Sequence, residues 1–524
     1  MEKFISTETL VIGLLLIVSL VAIAVRRLRV PYTVALVVVG LVLTSQRPLE
    51  LSLTPELVLA LLLPPLVFEA AFHINLNDLR RNLRFILLLA VPGVIIATLL
   101  VGGLLALLTT LPLPLALVFG ALISATDPVS VVALFRALGA PKRLALLVEG
   151  ESLLNDGTAI VVFNIVLAIA LTGRFDPLQG MADFVRVAVG GITVGFLLGW
   201  LIAHLIARVD DYLIETTLTT VLAYGAYLIA ERLHFSGVLA VVAAGLVNGN
   251  IGPQGMSPTT RIVLFNFWEY VAFLANSLVF LLIGLQINLA TLAATWQPVG
   301  LAILTVLLAR AVVTYGLGWL TRKLPEPVPL SWQHVLNWGG LRGAIALALA
   351  LSLPPALGPD RSLLQMMAYG VVLFTLLVQS TTMRALMRRL KIIARNQAQV
   401  EYELRHARLM ALRAAALHLD QMHSDGLLST HVWENLKPEM LAQVENVGKA
   451  VRELLLTNPS LAEEEMQSAR RELLRAQRAA LFGLRRDGVL SEEVFERLVA
   501  EFDTELMSAT EAARPSGAGL VTEE

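Results

Sequence analysis

Glu149, Glu151 and Asp156, with Ser152 and Asn155 between them, stand in the run LLVEGESLLNDGTAIVVF (Leu146 to Phe163), which is otherwise apolar enough to lie in a bilayer. Unpaired charge at bilayer depth costs a few kcal/mol per residue, so such groups face a protein interior or a water-filled cavity. On a helix, Glu149, Ser152 and Asp156 fall at i, i+3 and i+7 and form one stripe. Glu151 and Asn155 form the next. Adjoining stripes of carboxylate, hydroxyl and amide make an oxygen-rich face, and such donors suit a small hard cation or a proton.

Two further segments place polar residues where a membrane helix should fail. In Ser124-Ala125-Thr126-Asp127-Pro128, the proline removes a backbone donor and pushes Asp127 out of the α region. The helix should open there, leaving carbonyls and helix ends that need charge partners, with Asp127 at the break. Trp338-Gly339-Gly340-Leu341-Arg342-Gly343 sets a lone arginine among glycines. A third segment, PPLVFEAAFH (64–73), adds Glu69. An arginine cannot shed its proton to reduce its burial cost, which makes Arg342 the natural partner of Glu151 or Glu69.

The elements that position these residues follow from composition. Of 524 residues 56% are apolar and 15% charged, and the mean hydropathy is +0.73, outside the soluble range. There is no cysteine, which excludes disulfides, thiolate metal sites and Cys nucleophiles. Thr9 to Val25 lacks a basic leader and is followed by Arg26, Arg27 and Arg29, the pattern of a retained first span. Apolar runs predict an all-α polytopic membrane protein of about 13 spans. Their approximate limits are 7–25, 31–45, 53–73, 84–109, 112–137, 143–172, 185–207, 211–230, 235–249, 263–288, 298–320, 331–354 and 364–387. With the N-terminus outside, about 18 Lys and Arg fall inside against about 6 outside, which places the tail in the cytoplasm. The interrupted spans are the fifth and the twelfth. Their offset of seven reverses orientation, so spans five and six match twelve and thirteen as inverted repeats whose half-helices flank an ion site.

The segments PPLVFEAAFHI (64–74), SATDPVSVVALF (124–135), GESLLNDGTAIVVF (150–163) and NWGGLRGAIALALAL (337–351) resemble the signature blocks of monovalent cation/proton antiporters. The branch is that of bacterial and archaeal sodium/proton antiporters and of animal and plant sodium/proton exchangers, and the resemblance covers residues 8–390. It implies that Asp156 is the ion- and proton-binding aspartate and Asn155 the asparagine before it. Thr126, Asp127 and Ser152 would line the site beside two crossed, unwound helices, with Na+ or K+ held at Asp156, Ser152 and Thr126. Glu151 and Arg342 would form a buried acid–arginine pair, with Glu69 supporting it. The resemblance also implies a homodimer in which residues 1–390 hold a fixed dimerisation part and a moving six-helix core of spans 4–6 and 11–13. Gly157 follows Asp156 where relatives vary.

Each of these residues also has a plainer reading. Asn155 could satisfy backbone carbonyls in the broken region or be a direct ligand. Asp127 could compensate opposed helix dipoles or touch the ion. Glu149 could be an acid of a cytoplasmic funnel or a hydrogen-bonded bystander. Glu215, Glu269 and Arg310 are span-embedded charges expected to be satisfied between helices. His73, His234 and His334 lie near span ends, where a solvated histidine is the ordinary case. The pairs Gly102-Gly103 and Gly190-Gly191 suit close helix packing.

After Leu390 charged residues become frequent and the periodicity amphipathic. Residues 391–512 read as a cytoplasmic helical domain, and 513–524 as a disordered tail. A repeat lies within it: the pattern around 412–436, with Asp425-Gly426-Leu427-Leu428-Ser429, recurs 62 residues later around 474–498 with Asp487-Gly488-Val489-Leu490-Ser491. Each copy reads as helix, Gly at C′, Ser as the next N-cap and a second helix, with Trp433 and Phe495 in equivalent places. No nucleotide loop, EF-hand or metal cluster appears, and a packing or regulatory role is expected.

The expected function is secondary active antiport of a monovalent cation, Na+ first, against H+, with Asp156 shared by both. Burial favours the protonated carboxyl, and a bound cation favours the carboxylate. One carboxylate exchanging one proton for one cation is electroneutral, and Asn155 bears on this because relatives with a second aspartate there are typically electrogenic. K+/H+ exchange by the same mechanism is the alternative. A cation channel is a rival for which the sequence offers no filter motif, and a non-transporting sensor is argued against by intact Asp127, Asp156 and Arg342. No enzymatic activity and no cofactor are expected. The expected partners are the cation and proton, membrane lipid and a second copy, with no nucleic acid, in the cell (inner) membrane and in the service of pH homeostasis.

Overall fold

The structure is a computed structural model, and it describes residues 2–28, 31–46, 54–55, 57–173, 176–209, 211–252, 258–323, 327–392, 397–486, 489–491, 494–495, 497–498 and 501. The chain divides into two compact units, Met1–Ile393 and Ala394–Glu524. Among the described residues all regular structure is helical.

The first unit opens with α1 (Glu2–Leu28) and α2 (Tyr32–Gln46), and a π-helical turn at Leu57–Leu62 leads into α3 (Leu63–His73). Next come α4 (Leu76–Ala90) and α5 (Pro92–Leu108), then two half-helices, α6 (Leu113–Leu122) and α7 (Val129–Leu138). The long α8 (Lys142–Thr172) follows, with α9 (Pro177–Ile206), α10 (Tyr212–Arg232), α11 (Gly237–Ile251) and α12 (Pro258–Gln286). After the short α13 (Leu289–Ala294) come α14 (Trp296–Leu320) and a second pair of half-helices, α15 (Leu330–Trp338) and α16 (Ala344–Leu351). Finally α17 (Pro359–Phe374) runs through a π-helical turn, Thr375–Gln379, into α18 (Ser380–Arg389).

Each expected apolar stretch coincides with a helix or with a broken pair. Among the described residues, seven rods are long and apolar enough to cross a membrane by length and composition, and five shorter apolar helices accompany them. Large apolar side chains face outward in the middle of the rods, Val221 at 59% exposure and Val312 at 56%, as on a surface turned to lipid. The fourth stretch starts earlier than its hydropathy suggests. Asn75 caps α4, its Oδ1 accepting from the Asn77 amide at 2.9 Å, and the first turns bury Leu79, Phe85 and Ile86 while Arg80, Arg81 and Arg84 stay exposed. An amphipathic helix end of that kind is invisible to an apolar window.

Close packing supports the bundle as the glycine pairs suggest. A Cβ at Gly191 would run into the Ser236 carbonyl, where α9 crosses the start of α11, and one at Gly102 would meet the Leu117 backbone in α6. Gly103 has open space beside it and serves no such contact.

The second unit contains α19 (Gln397–Ser424), α20 (Thr430–Thr457) and α21 (Pro459–Arg486). Gly426, at φ 72°, turns the chain out of α19, and Ser429 stands at the N-cap of α20 without a side-chain capping bond. His423 stacks on Trp433 with ring centroids 4.5 Å apart, and 62 residues later Arg485 lies 4.6 Å over the Phe495 ring. The two contacts fall at positions equivalent in the repeat, one a ring stack and the other a cation–π contact. Asp487 and Gly488 of the second turn, and residues 513–524, lie outside the described residues.

Candidate functional site

The two interruptions meet. Between α6 and α7 the Asp127 N–H donates to the Leu341 carbonyl, 2.8 Å away in the break between α15 and α16. Four half-helix ends thus converge, and each presents backbone groups without intrahelical partners. Asp127 stands at the positive ends. Its Oδ1 accepts from the Val129 N–H at 2.9 Å, the start of α7, and its carboxylate packs against Gly343, where α16 begins. Arg342 serves a negative end: its Nη1 donates to the carbonyls of Ser124 (2.7 Å) and Ala125 (3.0 Å), beyond the last turn of α6. The Arg342 N–H donates to Thr375 Oγ1 at 3.1 Å, at the first residue of the π-helical turn after α17. Arg310 of α14 serves the other negative end, donating from Nη2 to the Leu336 carbonyl of α15 at 2.8 Å.

The stripes of α8 divide the work. Glu149, Ser152 and Asp156 all line a cavity of about 70 Å³, together with Thr126 and Asp127 from the first break and Gly343 from the second. Asp156 is 8% exposed, and its Oδ1 is buried with no hydrogen-bond partner. An orphaned buried carboxylate oxygen is costly unless a proton or cation satisfies it, and Thr126 and Ser152 line the same cavity. Ser152 Oγ donates to the Thr126 carbonyl.

The second stripe faces protein. Asn155 does not line the cavity. Its Nδ2 donates to Thr126 Oγ1 at 2.6 Å, and its Oδ1 accepts from the Thr126 N–H at 3.3 Å, so one amide fixes both ends of that threonine. Glu151 is buried and accepts from both terminal nitrogens of the Arg310 guanidinium, Nη1 at Oε1 and Nη2 at Oε2, the latter at 3.1 Å.

Two expectations are corrected here. Glu151 pairs with Arg310 and not with Arg342, because Arg342 is drawn to the carbonyls freed by the Pro128 break. Glu69 supports neither. It lies in a second, larger cavity with its Oε1 3.3 Å from His73 Nδ1, one helical turn on. Arg310, expected to be an ordinary interhelical charge, takes the place expected of Arg342 at Glu151. The available signal was arithmetical: two broken helices leave two carbonyl ends, and the sequence embeds two arginines nearby in apolar spans. Thr375 and Asn276, the latter lining the Asp156 cavity from α12, carry no sequence signal that would have singled them out.

The larger cavity, about 630 Å³, is lined by Glu69, Glu149 and Glu269, with Arg136 and Arg384 among the basic residues. It shares Glu149 and Asn276 with the small one. Glu149 also pairs with Arg136, Oε1 to Nη2 at 3.2 Å.

Comparison with known proteins identifies the family. Residues 13–389 match the family model described as sodium/hydrogen exchanger, transmembrane. The chain is 41% identical over 447 residues to the Na+/H+ antiporter ApNhaP of Aphanothece halophytica, covering 84% of this chain and 85% of that protein. It is 37% identical over 486 residues to the Na+/H+ antiporter NhaG of Bacillus atrophaeus, covering 90% and 92%. Its fold is similar to that of the sodium proton antiporter MjNhaP1 of Methanocaldococcus jannaschii, with a TM-score of 0.62 at 22% identity over 75% of this chain and all of the other. The chain belongs to the sodium/hydrogen exchanger family.

Proposed function

We propose that this chain is a secondary active antiporter that exchanges Na+ for H+, one for one, with Asp156 as the group shared by both. The observation that carries the reading is the orphaned Asp156 Oδ1 in a small cavity ringed by Thr126, Asp127 and Ser152, at the crossing of two broken helices. The relatives named as Na+/H+ antiporters support the choice of cargo.

One carboxylate cannot hold a proton and a cation at once. In the protonated state the site is neutral. With the carboxylate bound to a monovalent cation it is neutral again. Both half-cycles then move the same charge across the membrane, and exchange is electroneutral. Asn155, an uncharged amide occupied with Thr126, adds no second titrating group. Thr126, Ser152, backbone oxygens at the break and water complete the cation's shell, and Asp127 and Arg342 hold the helix ends that shape it.

The working unit in this reading is a homodimer in the cell's inner membrane, in contact with lipid, with the N-terminus outside and the tail in the cytoplasm. The six-helix core, α4–α8 with α14–α18, moves against a fixed dimer part to expose Asp156 to each side in turn. The test is Asp156→Asn in proteoliposomes. Cation-driven proton movement should vanish in a folded protein, and pH-dependent exchange surviving in that variant would sink the assignment.

A further inference from the structure

We infer that Glu149 is a loading site for the incoming monovalent cation, placed between the large cavity and the Asp156 cavity, with Arg136 as the counter-charge that the cation displaces. The inference rests on the antiport reading above. It begins from where the two cavities overlap. Among the described residues, the linings share Leu66, Ala70, Pro128, Val129, Glu149 and Asn276. Glu149 is the charged member of that set. A cation passing from the large cavity to the orphaned Asp156 oxygen must cross this ring, and Glu149 stands on the same helical stripe as Ser152 and Asp156, two turns before the latter.

The alternative is a merely structural ion pair, and the exposures argue against it. Arg136 is 64% exposed and Glu149 20%, so the pair is open to water on the guanidinium side. Such pairs contribute little to stability. The Glu151–Arg310 pair shows the contrast: its side chains are 3% and 11% exposed, and Arg310 is also engaged at the α15 end. Replacing Arg136 by a hydrated cation at Glu149 therefore disturbs little else. The other charged groups around the large cavity are spoken for or set apart. Glu69, 3.3 Å from His73 Nδ1, lines only the large cavity, as do Glu269 and Arg384. Asp127 and Asp156 line only the small one.

The test is the ratio of half-saturating Na+ concentrations measured from the two membrane faces, in vesicles of each orientation. Glu149→Gln should raise half-saturation from the large-cavity face roughly fivefold, the contribution of one unit charge at close range in water, and shift the ratio accordingly. Glu149→Asp should restore most of it. Arg136→Gln should lower half-saturation from that face, and should have no effect once Glu149 is already Gln. A structural role would reduce the number of working carriers and leave the ratio unmoved, which would overturn the inference. An equal shift from both faces, or an Arg136→Gln effect that persists beside Glu149→Gln, would overturn it too. Asp156→Asn is measured alongside. Exchange surviving there defeats the assignment of Asp156 on which the antiport mechanism rests, whereas its loss together with an unmoved Glu149→Gln ratio defeats only the loading role.

Discussion

Arg310 and Glu151 form a two-armed ion pair that ties α14 to α8, and the same guanidinium closes the carbonyl end of the broken α15. One arginine thus fixes a carboxylate on the site helix and a half-helix end at once. Arg342 does the corresponding work at the end of α6, with carbonyls alone as its acceptors among the described side-chain bonds.

Removing Arg310 should be among the most damaging single changes in the membrane unit. Arg310→Met leaves Glu151 buried without its counter-charge, a loss of about 3–5 kcal/mol. The double variant Arg310→Met with Glu151→Met removes both charges and should recover much of that loss. Arg342→Met should not be rescued by any change at Glu151. Thermal unfolding midpoints of the purified protein in detergent check all three, and rescue of Arg342→Met by Glu151→Met would contradict the pairing seen here.

Gly343 stands where the Asp127 carboxylate packs against the start of α16, and a Cβ there would run into Asp127 Oδ2. That oxygen belongs to a side chain that is itself pinned by the Val129 N–H. Gly343→Ala should therefore displace Asp127 or open the crossing, at about 1–3 kcal/mol. The expected result is a lowered unfolding midpoint and a raised half-saturating Na+. An alanine variant indistinguishable from the parent on both measures would remove Asp127 from its place at the two helix starts.

Much of the geometry of this candidate site is legible in the sequence. The i, i+3, i+7 stripe of Glu149, Ser152 and Asp156 does face one cavity, and Pro128 and the Gly339–Gly343 run do open their helices, because both effects are local properties of the backbone. The partner of Glu151 was not legible. Sequence distance says nothing of which arginine lies opposite a given acid when two compete, and the choice is made by the carbonyls that the Pro128 break exposes to Arg342. The start of α4 was hidden for a different reason, since charged residues on one face mask an amphipathic helix end from a hydropathy window. In the tail the repeat predicted equivalent turns, and the His423–Trp433 and Arg485–Phe495 contacts follow it, while the helices on either side run well beyond the repeated core.

The first tail hairpin should respond to acid. Asp420 accepts from Lys437 Nζ at 3.0 Å and from Trp433 Nε1 at 2.8 Å, and the Lys437 and Trp433 hydrogen bonds hold its carboxyl below the usual range. A depressed value in the folded state contributes stability above the unfolded value of about 4, lost as pH falls through the folded one. The contribution of Asp420 to the Trp433 contact should therefore be constant from about pH 5 upward and fall away only below about pH 4. Fluorescence of the intact protein, compared with Asp420→Asn, isolates the effect: the acid transition should be missing from the variant. A transition of equal size in both would assign it to another group.

Asn155 decides the stoichiometry in the proposed mechanism, and its geometry makes the decisive variant a mild one. Its amide donates to Thr126 Oγ1 and accepts from the Thr126 N–H. An aspartate of the same shape can still accept the N–H, and the Thr126 hydroxyl can turn to donate to it. Asn155→Asp should therefore fold and keep Thr126 in place while adding a second carboxylate beside Asp156. A second carboxylate that binds a proton in one half-cycle, and is left without a second monovalent cation in the other, unbalances the charge moved. Exchange by Asn155→Asp should then accelerate or slow with an imposed membrane potential, while the parent protein stays indifferent to it. Potential-sensitive exchange in the parent would refute the one-for-one assignment. Asn155→Ala separates the two roles, because it frees Thr126 without adding charge: half-saturating Na+ should rise several-fold, and the indifference to membrane potential should remain.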